Sequence, residues 1–83
     1  MGTSQADIRE WFDRGVKQGA VYMIVVCDTF DHEDYPVYVG PEENVREHYD
    51  KYNWKNMQKV MEVYDLRMDR ETQINEQRAF HLP

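Results

Sequence analysis

VYMIVVCDTFDHEDYPVYVG, residues 21–40, is the stretch that decides the fold. It opens with seven consecutive apolar residues, several of them β-branched, which is typical of a buried strand. We predict two antiparallel strands, Ala20–Thr29 and Tyr35–Val39, joined by an acidic loop over Phe30–Asp34 that is too long for a two-residue hairpin turn. Pro36 has no N–H to donate, so the second strand should lie at an edge of the sheet.

The residues before this stretch repeat at helical spacing. Apolar side chains recur at intervals of one, three or four residues, at Ile8, Trp11, Phe12 and Val16. We predict a first helix over Gln5–Gln18, with Ser4 as its N-cap and Gly19 as its C-terminal stop. The aromatic side chains of this stripe should belong to the core rather than to a ligand site.

The residues after the two strands indicate a second helix. The run Gly40-Pro41-Glu42-Glu43 places a proline and two acids where a helix N-terminus favours them. We predict that this helix begins there and ends at Asn53, with Val45, Tyr49 and Tyr52 on its inner face.

The segment from Trp54 to Met68 supports two interpretations. A helical stripe is formed by apolar residues spaced three and four apart, namely Trp54, Met57, Met61, Tyr64 and Met68. The run Val60–Leu66 is equally consistent with a strand, because it contains several residues that favour a sheet. A two-stranded hairpin is marginal alone and needs a third strand, so we predict a strand over Lys59–Leu66.

The last predicted element is a helix over Arg70–Phe80, capped by Asp69, with a thin inner face of Ile74, Gln77 and Phe80. The predicted fold is a single α+β domain over residues 1–83, in the order α-β-β-α-β-α, with a small, mainly antiparallel three-stranded sheet. Two helices on one face of this sheet would leave the other face open. The last helix, a second copy of the chain in a homodimer, or a partner protein are the candidates to cover it.

The formal net charge of −6 is confined to one part of the chain. Lys17 and Arg46 are separated by 28 residues without a Lys or Arg, while the rest of the chain has ten acids and ten bases. The interval contains six acids: Asp28, Asp31, Glu33, Asp34, Glu42 and Glu43. Phosphate backbones repel such a surface, so we expect no direct binding to nucleic acid.

We predict that the acidic hairpin side is a contact surface for a protein partner of basic charge. Tyrosines beside acids are a common make-up of recognition surfaces. The predicted partner-binding residues are Asp31, Glu33, Asp34, Tyr35, Tyr38, Glu42 and Glu43. We predict no catalytic residue and no cofactor, because the sequence offers no pattern that combines an acid, a base and a nucleophile.

A rival hypothesis is a small metal-binding or hydrolytic protein. Carboxylates and an imidazole can bind a divalent cation, and the weak candidates are Asp28, Asp31, His32 and Asp34. Their spacing does not match the calcium-loop pattern. Cys27 ends the apolar run with acids beside it, which makes a buried core cysteine more plausible than a nucleophile.

The composition predicts a cytoplasmic protein. A single cysteine cannot form an intramolecular disulfide, and the first residues lack the basic and apolar regions of a signal peptide. No segment approaches the roughly 20 apolar residues that span a bilayer, so we expect no membrane association.

Three stretches, VVCDTFDHEDYPVYV, NMQKVMEVYDL and RAFHLP, resemble a set of small proteins from bacteria and their phages. The likeness covers most of the chain from Ile8 onward. It implies a bacterial or phage protein that acts in the cytoplasm, the host's cytoplasm if phage-encoded, and it implies no activity and no catalytic residue. Together with the charge, it leads to the predicted function of a non-enzymatic protein-interaction module. In its specific form this would be an inhibitor or modulator of a host protein.

Overall fold

The computed structural model describes residues 3–76 and 79–82, and these residues form six elements in the predicted order. The elements are α1 Gln5–Lys17, β1 Tyr22–Asp28, β2 Glu33–Val39, α2 Val45–Tyr52, β3 Gln58–Asp65 and α3 Arg70–Ile74. The strands form one antiparallel sheet in the order β2-β1-β3, which confirms the α+β fold class. None of the helices in these two ranges is long and apolar enough to cross a bilayer.

β1 is the centre of the molecule. It pairs with β2 on one side and β3 on the other, and Met23–Cys27 is buried throughout because helices cover both of its faces. β2 occupies the edge that Pro36 predicted, with Pro36 opposite Val25. The loop is shorter than predicted, because β2 begins at Glu33 and only four residues connect it to β1.

α1 and α2 pack on opposite faces of the sheet, so the expectation that the first two helices share one face is wrong. α1 and α3 cover the face that carries Met23 and Val25 of β1. α2 covers the other face, which carries Ile24 and Val26. The second face, for which the last helix, a second copy of the chain and a partner protein were the candidates, is therefore covered by α2.

α2 begins later than the sequence indicated. Asn44 is its N-cap, and its side-chain Oδ1 accepts hydrogen bonds from the N–H groups of Arg46 (2.9 Å) and Glu47 (3.2 Å). The predicted start at Gly40 is wrong because Glu43 Oε1 folds back to accept the Gly40 N–H (2.8 Å), which closes a turn before the helix. A helix begins more favourably at a residue such as Asn44, whose side chain accepts hydrogen bonds from two free backbone N–H groups, than at a proline within a turn, such as Pro41. The predicted end at Asn53 is confirmed.

β3 confirms the strand interpretation of its segment and contains a bulge. A register shift between Val25 and Val26 of β1 makes Met61 an extra residue in β3. Val60 and Val63 therefore both face α2, although they are three residues apart in the sequence. Met61 and Tyr64, which belong to the helical stripe in the sequence and are also three residues apart, likewise share the other face of the sheet, which is why the segment also resembled a helix.

α3 is much shorter than predicted. It begins after the predicted cap Asp69, whose carboxylate accepts the Thr72 N–H (2.9 Å), but it ends at Ile74. The predicted extent of Arg70–Phe80 is wrong, because Asn75 closes the helix and the thin apolar face offers little more to bury. Gln77, predicted on the inner face of this helix, lies outside the described residues.

Residues 79–82, here called the C-terminal strap, lie along the outer edge of β3. The Val63 N–H donates to the Ala79 carbonyl (3.1 Å), and the His81 N–H donates to the Val63 carbonyl (3.0 Å). The Phe80 ring meets the Tyr49 ring of α2 edge-on, with ring centroids 5.5 Å apart. The strap thus pairs with β3 in parallel and blunts that edge of the sheet.

Gln73 fastens α3 to the end of β3. It is 1% exposed, and its Oε1 accepts the Asp65 N–H at 2.8 Å. Its Nε2 donates to the carbonyls of Asp65 (2.8 Å) and Asp69 (3.1 Å). The amide therefore gives the Asp65 N–H a partner, and it adds a hydrogen bond to the Asp69 carbonyl and to the Asp65 carbonyl, which also accepts the Met68 N–H (3.1 Å).

Gly15 sets how closely α1 approaches the sheet. A Cβ at this position would lie 2.7 Å from Leu66 Cδ1 and 2.7 Å from Tyr38 Cε1, so the substitution Gly15→Ala forces a side chain or the helix to move. Alanine favours a helix interior by about 1 kcal/mol over glycine, but overpacking of this kind costs about 1 to 3 kcal/mol. We expect a net loss of up to about 2 kcal/mol in the free energy of unfolding, measured by urea denaturation.

The matched control for this prediction is Lys17→Ala, an exposed substitution on the same helix. It should change the free energy of unfolding by about half a kcal/mol or less. A Gly15→Ala protein more stable than the wild type would contradict the close packing of α1.

Candidate functional site

The turn between β1 and β2 is held by Asp28. Its Oδ1 accepts hydrogen bonds from the N–H groups of Phe30 (2.8 Å) and Asp31 (3.3 Å), and its carbonyl accepts the His32 N–H (2.7 Å). His32 takes a left-handed backbone conformation with φ of 58°. Asp28 thus has a structural role in a four-residue turn, which exposes the side chains of the three residues that it holds.

The predicted acidic surface divides into two groups. Asp31 and Glu33 are exposed beside the turn, and the half-buried Asp34 next to them accepts a hydrogen bond from Thr3 Oγ1 (2.8 Å). Glu42 and Glu43 follow the opposite end of β2, which at the usual strand rise is about 20 Å away. The two groups therefore cannot contact the same small epitope.

Glu43 belongs to the local structure before α2. The Gly40 N–H donates to its carboxylate, and His48 Nε2 lies 3.1 Å from Glu43 Oε2. These contacts, the Gly40 hydrogen bond above all, hold the pKa of the Glu43 carboxyl below its usual value. Glu42 beside it is exposed.

The two predicted tyrosines point to opposite faces of the sheet. The Tyr38 hydroxyl donates to the Trp11 carbonyl (2.8 Å) on the α1 side, and the Tyr35 hydroxyl accepts from Gln58 Nε2 on the α2 side. Burial raises the pKa of both phenols. Both side chains are half-buried and form hydrogen bonds within the fold. They therefore stabilise the sheet and do not form one continuous surface with the acids.

The candidate metal ligands do not form a cluster. Within residues 3–76 and 79–82, no three His, Cys, Asp or Glu side chains are placed so that they could hold a metal ion. The four weak candidates include Asp28, which is engaged in the turn, and Asp34, which is bonded to Thr3. Cys27 is buried as predicted, and this burial raises the pKa of its thiol.

An open cavity of about 520 Å³ lies at the far end of the sheet from this turn. Its walls are formed by residues 21–22, by residues 41–45 before α2, and by Arg67. The Arg67 guanidinium covers the Tyr22 ring, with Cζ 5.0 Å from the ring centroid, and forms an ion pair with Asp65 (3.0 Å). Its charge is thus already balanced by a neighbour, and the other charged walls are the acids Glu42 and Glu43.

The sequence did not identify the apolar side chains at the turn end of the sheet. Phe30 is 72% exposed, Trp54 is 73% exposed and Met57 is 59% exposed. The loop before β3 lies beside the β1–β2 turn, because Thr29 donates to the Met57 carbonyl through both its N–H (2.8 Å) and its Oγ1 (2.8 Å). Together with Asp31 and Glu33, these three side chains make up what we call the tip surface.

A sequence signal for this loop was present. Trp54 and Met57 fit a possible helical stripe, yet each directly follows an asparagine, Asn53 and Asn56, and asparagine is common in turns with left-handed conformations. The structure has φ of 60° at Trp54, 53° at Asn56 and 61° at Met57. The paired asparagines could therefore have indicated a loop that exposes both side chains.

The resemblance of the sequence to small bacterial and phage proteins stays a prediction. A comparison of the chain with protein-family models, with curated proteins and with solved structures found no match. The fold, the charge distribution and the tip surface are therefore what bear on function.

Proposed function

We propose that this chain is a non-enzymatic protein-interaction module that binds a basic partner protein through the turn end of its hairpin. The proposal rests on the exposure and the ion pairing of the Asp31 and Glu33 side chains. Both are exposed, and neither forms an ion pair with a side chain of the residues described here. Four acids elsewhere on the surface, Glu10, Asp13, Asp65 and Glu71, are paired with arginines.

Unpaired acids at one end of a domain favour capture of a positively charged partner. Charged groups at the rim of an interface act mainly on the association rate and on its dependence on salt. A host protein with a basic nucleic-acid groove is one partner with this chemistry, and occupation of that groove would inhibit it. The net charge of −6 supports this direction of attraction.

Neutralising the two tip acids should slow partner capture without unfolding the protein. For the double variant Asp31→Asn with Glu33→Gln, we expect a lower association rate at low salt and a weaker response to added salt. The partner is first captured from a bacterial lysate with the tagged wild type and identified. Association rates are then measured by surface plasmon resonance at low and moderate ionic strength.

The matched control neutralises two exposed acids of α2, Glu47→Gln with Asp50→Asn, and so makes the same change in net charge at another place. This control should bind like the wild type except for a small change from the net charge. Equal association rates for the tip variant and the α2 variant at both salt concentrations would exclude the tip acids as the contact. Thermal melts should agree within the range expected for exposed sites, which is about half a kcal/mol.

The rival prediction of a metal-binding or hydrolytic protein has no group of three candidate ligands behind it in the described part of the chain. It stays a prediction. Calorimetric titration of the protein with divalent cations separates it from the interaction module, because only the rival expects saturable heat.

A further inference from the structure

The centre of the tip surface is apolar. Neither a need for solubility nor binding of a basic partner by the acids explains why apolar side chains are exposed there. Phe30, Trp54 and Met57 are among the most exposed large apolar side chains of the described residues. The three occupy two loops that the paired hydrogen bonds from Thr29 to the Met57 carbonyl join at one end of the sheet. Several exposed apolar side chains at one place, bordered by polar ones, typically mark an interaction site.

The loop that carries Trp54 is held in a costly conformation. Left-handed φ angles are unfavourable for bulky residues such as Trp54 and Met57, whereas Asn56 between them tolerates this conformation. Hydrogen bonds fix this shape, because the Gln58 N–H donates to the Lys55 carbonyl (3.0 Å) in addition to the two bonds from Thr29. A backbone that maintains strain and exposes an indole ring is typical of a site whose geometry is set before binding.

We propose that Phe30, Trp54 and Met57 are the anchoring centre of the interface, and that they receive a partner segment carrying a bulky apolar side chain next to Lys or Arg. This inference rests on the proposed function and names the partner's chemistry. Lys59 Nζ lies over one face of the Trp54 indole, 5.6 Å from the ring centroid, so the partner's apolar side chain packs against the other face of the ring. The basic neighbours of that side chain face Asp31 and Glu33.

The division of roles follows from how interfaces are built. Binding energy is concentrated in a few central aromatic or arginine side chains, while the surrounding polar rim excludes water and steers the approach. At the tip surface, Trp54 and Phe30 have the area to serve as the centre, and the acids have the position of the rim. We therefore expect the aromatic side chains to control the dissociation rate and the acids to control the association rate.

A selection of short random peptides on the immobilised wild-type protein tests the inference while the partner is still unidentified. The selected peptides should combine a bulky apolar residue with Lys or Arg. Their affinity should fall about thirtyfold for Trp54→Asn and for Phe30→Ser, the loss typical of a hot-spot side chain. Asparagine is chosen at position 54 because it tolerates the left-handed φ, so the loop keeps its shape.

The control is Met68→Asn, which removes another half-exposed apolar side chain beyond the opposite end of β3. It should leave peptide affinity unchanged. A direct readout is also available, because the chain has two tryptophans. In a Trp11→Phe background all indole emission comes from Trp54, and it should shift to shorter wavelength when a selected peptide binds.

The outcomes separate the two proposals. Peptides that bind Trp54→Asn and Phe30→Ser as tightly as the wild type would overturn the anchoring centre, and they would leave the proposed function standing if neutralisation of the tip acids weakens them. Peptides that need Trp54 but ignore both the tip acids and salt would support the anchoring centre and contradict the basic partner. Failure to recover any peptide that depends on Trp54 would overturn the inference.

A second copy of the chain is the competing occupant of this surface. Sedimentation equilibrium of the wild type and Trp54→Asn decides the matter. A wild-type monomer supports a separate partner. A dimer that Trp54→Asn dissociates and Met68→Asn does not would overturn the inference, because the apolar centre would then be a self-association site.

Discussion

Truncation of Phe12 to alanine is expected to lower the free energy of unfolding by about 3 to 5 kcal/mol. Phe12 is 3% exposed and lies where α1 meets the sheet. Its ring meets the Tyr64 ring edge-on, with centroids 6.4 Å apart and an interplanar angle of 79°. Removal of the ring loses this contact together with the buried apolar area, and it leaves a cavity between a helix and a strand that cannot easily collapse.

The stability of a small domain is on the order of 5 to 10 kcal/mol, so Phe12→Ala should bring the protein close to unfolding at room temperature. The measurement is urea denaturation followed by far-ultraviolet circular dichroism. Phe12→Leu, which keeps most of the volume, should cost about 1.5 kcal/mol or less. An alanine variant as stable as the wild type would show that α1 is not packed as described.

The substitution Gln73→Leu should lower the free energy of unfolding by about 1 to 3 kcal/mol, because it leaves the N–H of the half-buried Asp65 without its hydrogen-bond partner. Leucine is of similar size but cannot bond the N–H of Asp65 or the carbonyls of Asp65 and Asp69. The loss is therefore one of hydrogen bonds and not of packing. α3 should also detach from the end of β3, since Gln73 is the polar link between them.

Amide exchange provides a second readout for this variant. The Asp65 N–H donates to Gln73 Oε1, so its exchange should accelerate in Gln73→Leu more than that of amides at the centre of β1. Asn75→Ala, an exposed change in the same segment, should leave both the stability and the exchange rate near the wild-type values. If Gln73→Leu proves neutral, those backbone groups have found other partners.

The hairpin was predictable because the alternation of its side chains and the position of its proline both agree with the observed structure. Successive side chains of a strand point to opposite faces of the sheet, and the structure accordingly has Ile24 and Val26 on one face and Met23 and Val25 on the other. Pro36 predicted the edge position of β2 because a missing N–H is tolerated there. These signals lie within the hairpin itself, so they hold whatever the arrangement of the helices.

The placement of the helices could not be predicted in the same way. β1 is apolar on both faces, so its pattern does not say which face each helix covers. Which face each helix covers depends on the path of the loops that connect helices and strands, and no local sequence pattern specifies that path. For β3, the bulge at Met61 broke the two-residue period, which made a strand resemble a helix.

The candidate site was predicted in part. The acids of the β1–β2 turn were expected at the surface, and Asp31 and Glu33 are there. Glu42 and Glu43, which belong to the same acidic interval of the sequence, lie beyond the other end of β2. Trp54 was missed because a large apolar side chain is usually buried, and only the loop's backbone conformation brings it to the surface.

The central position of β1 also determines the order in which the chain can fold. Its partner β2 follows after a short turn, so the hairpin closes with little loss of chain entropy, whereas β3 begins 30 residues after β1 ends and must close a much longer loop. Until β3 arrives, one side of the most apolar strand presents unpaired N–H and carbonyl groups that another chain can pair with. The strand that is best protected in the finished domain is therefore the one most open to aggregation while the domain is being made.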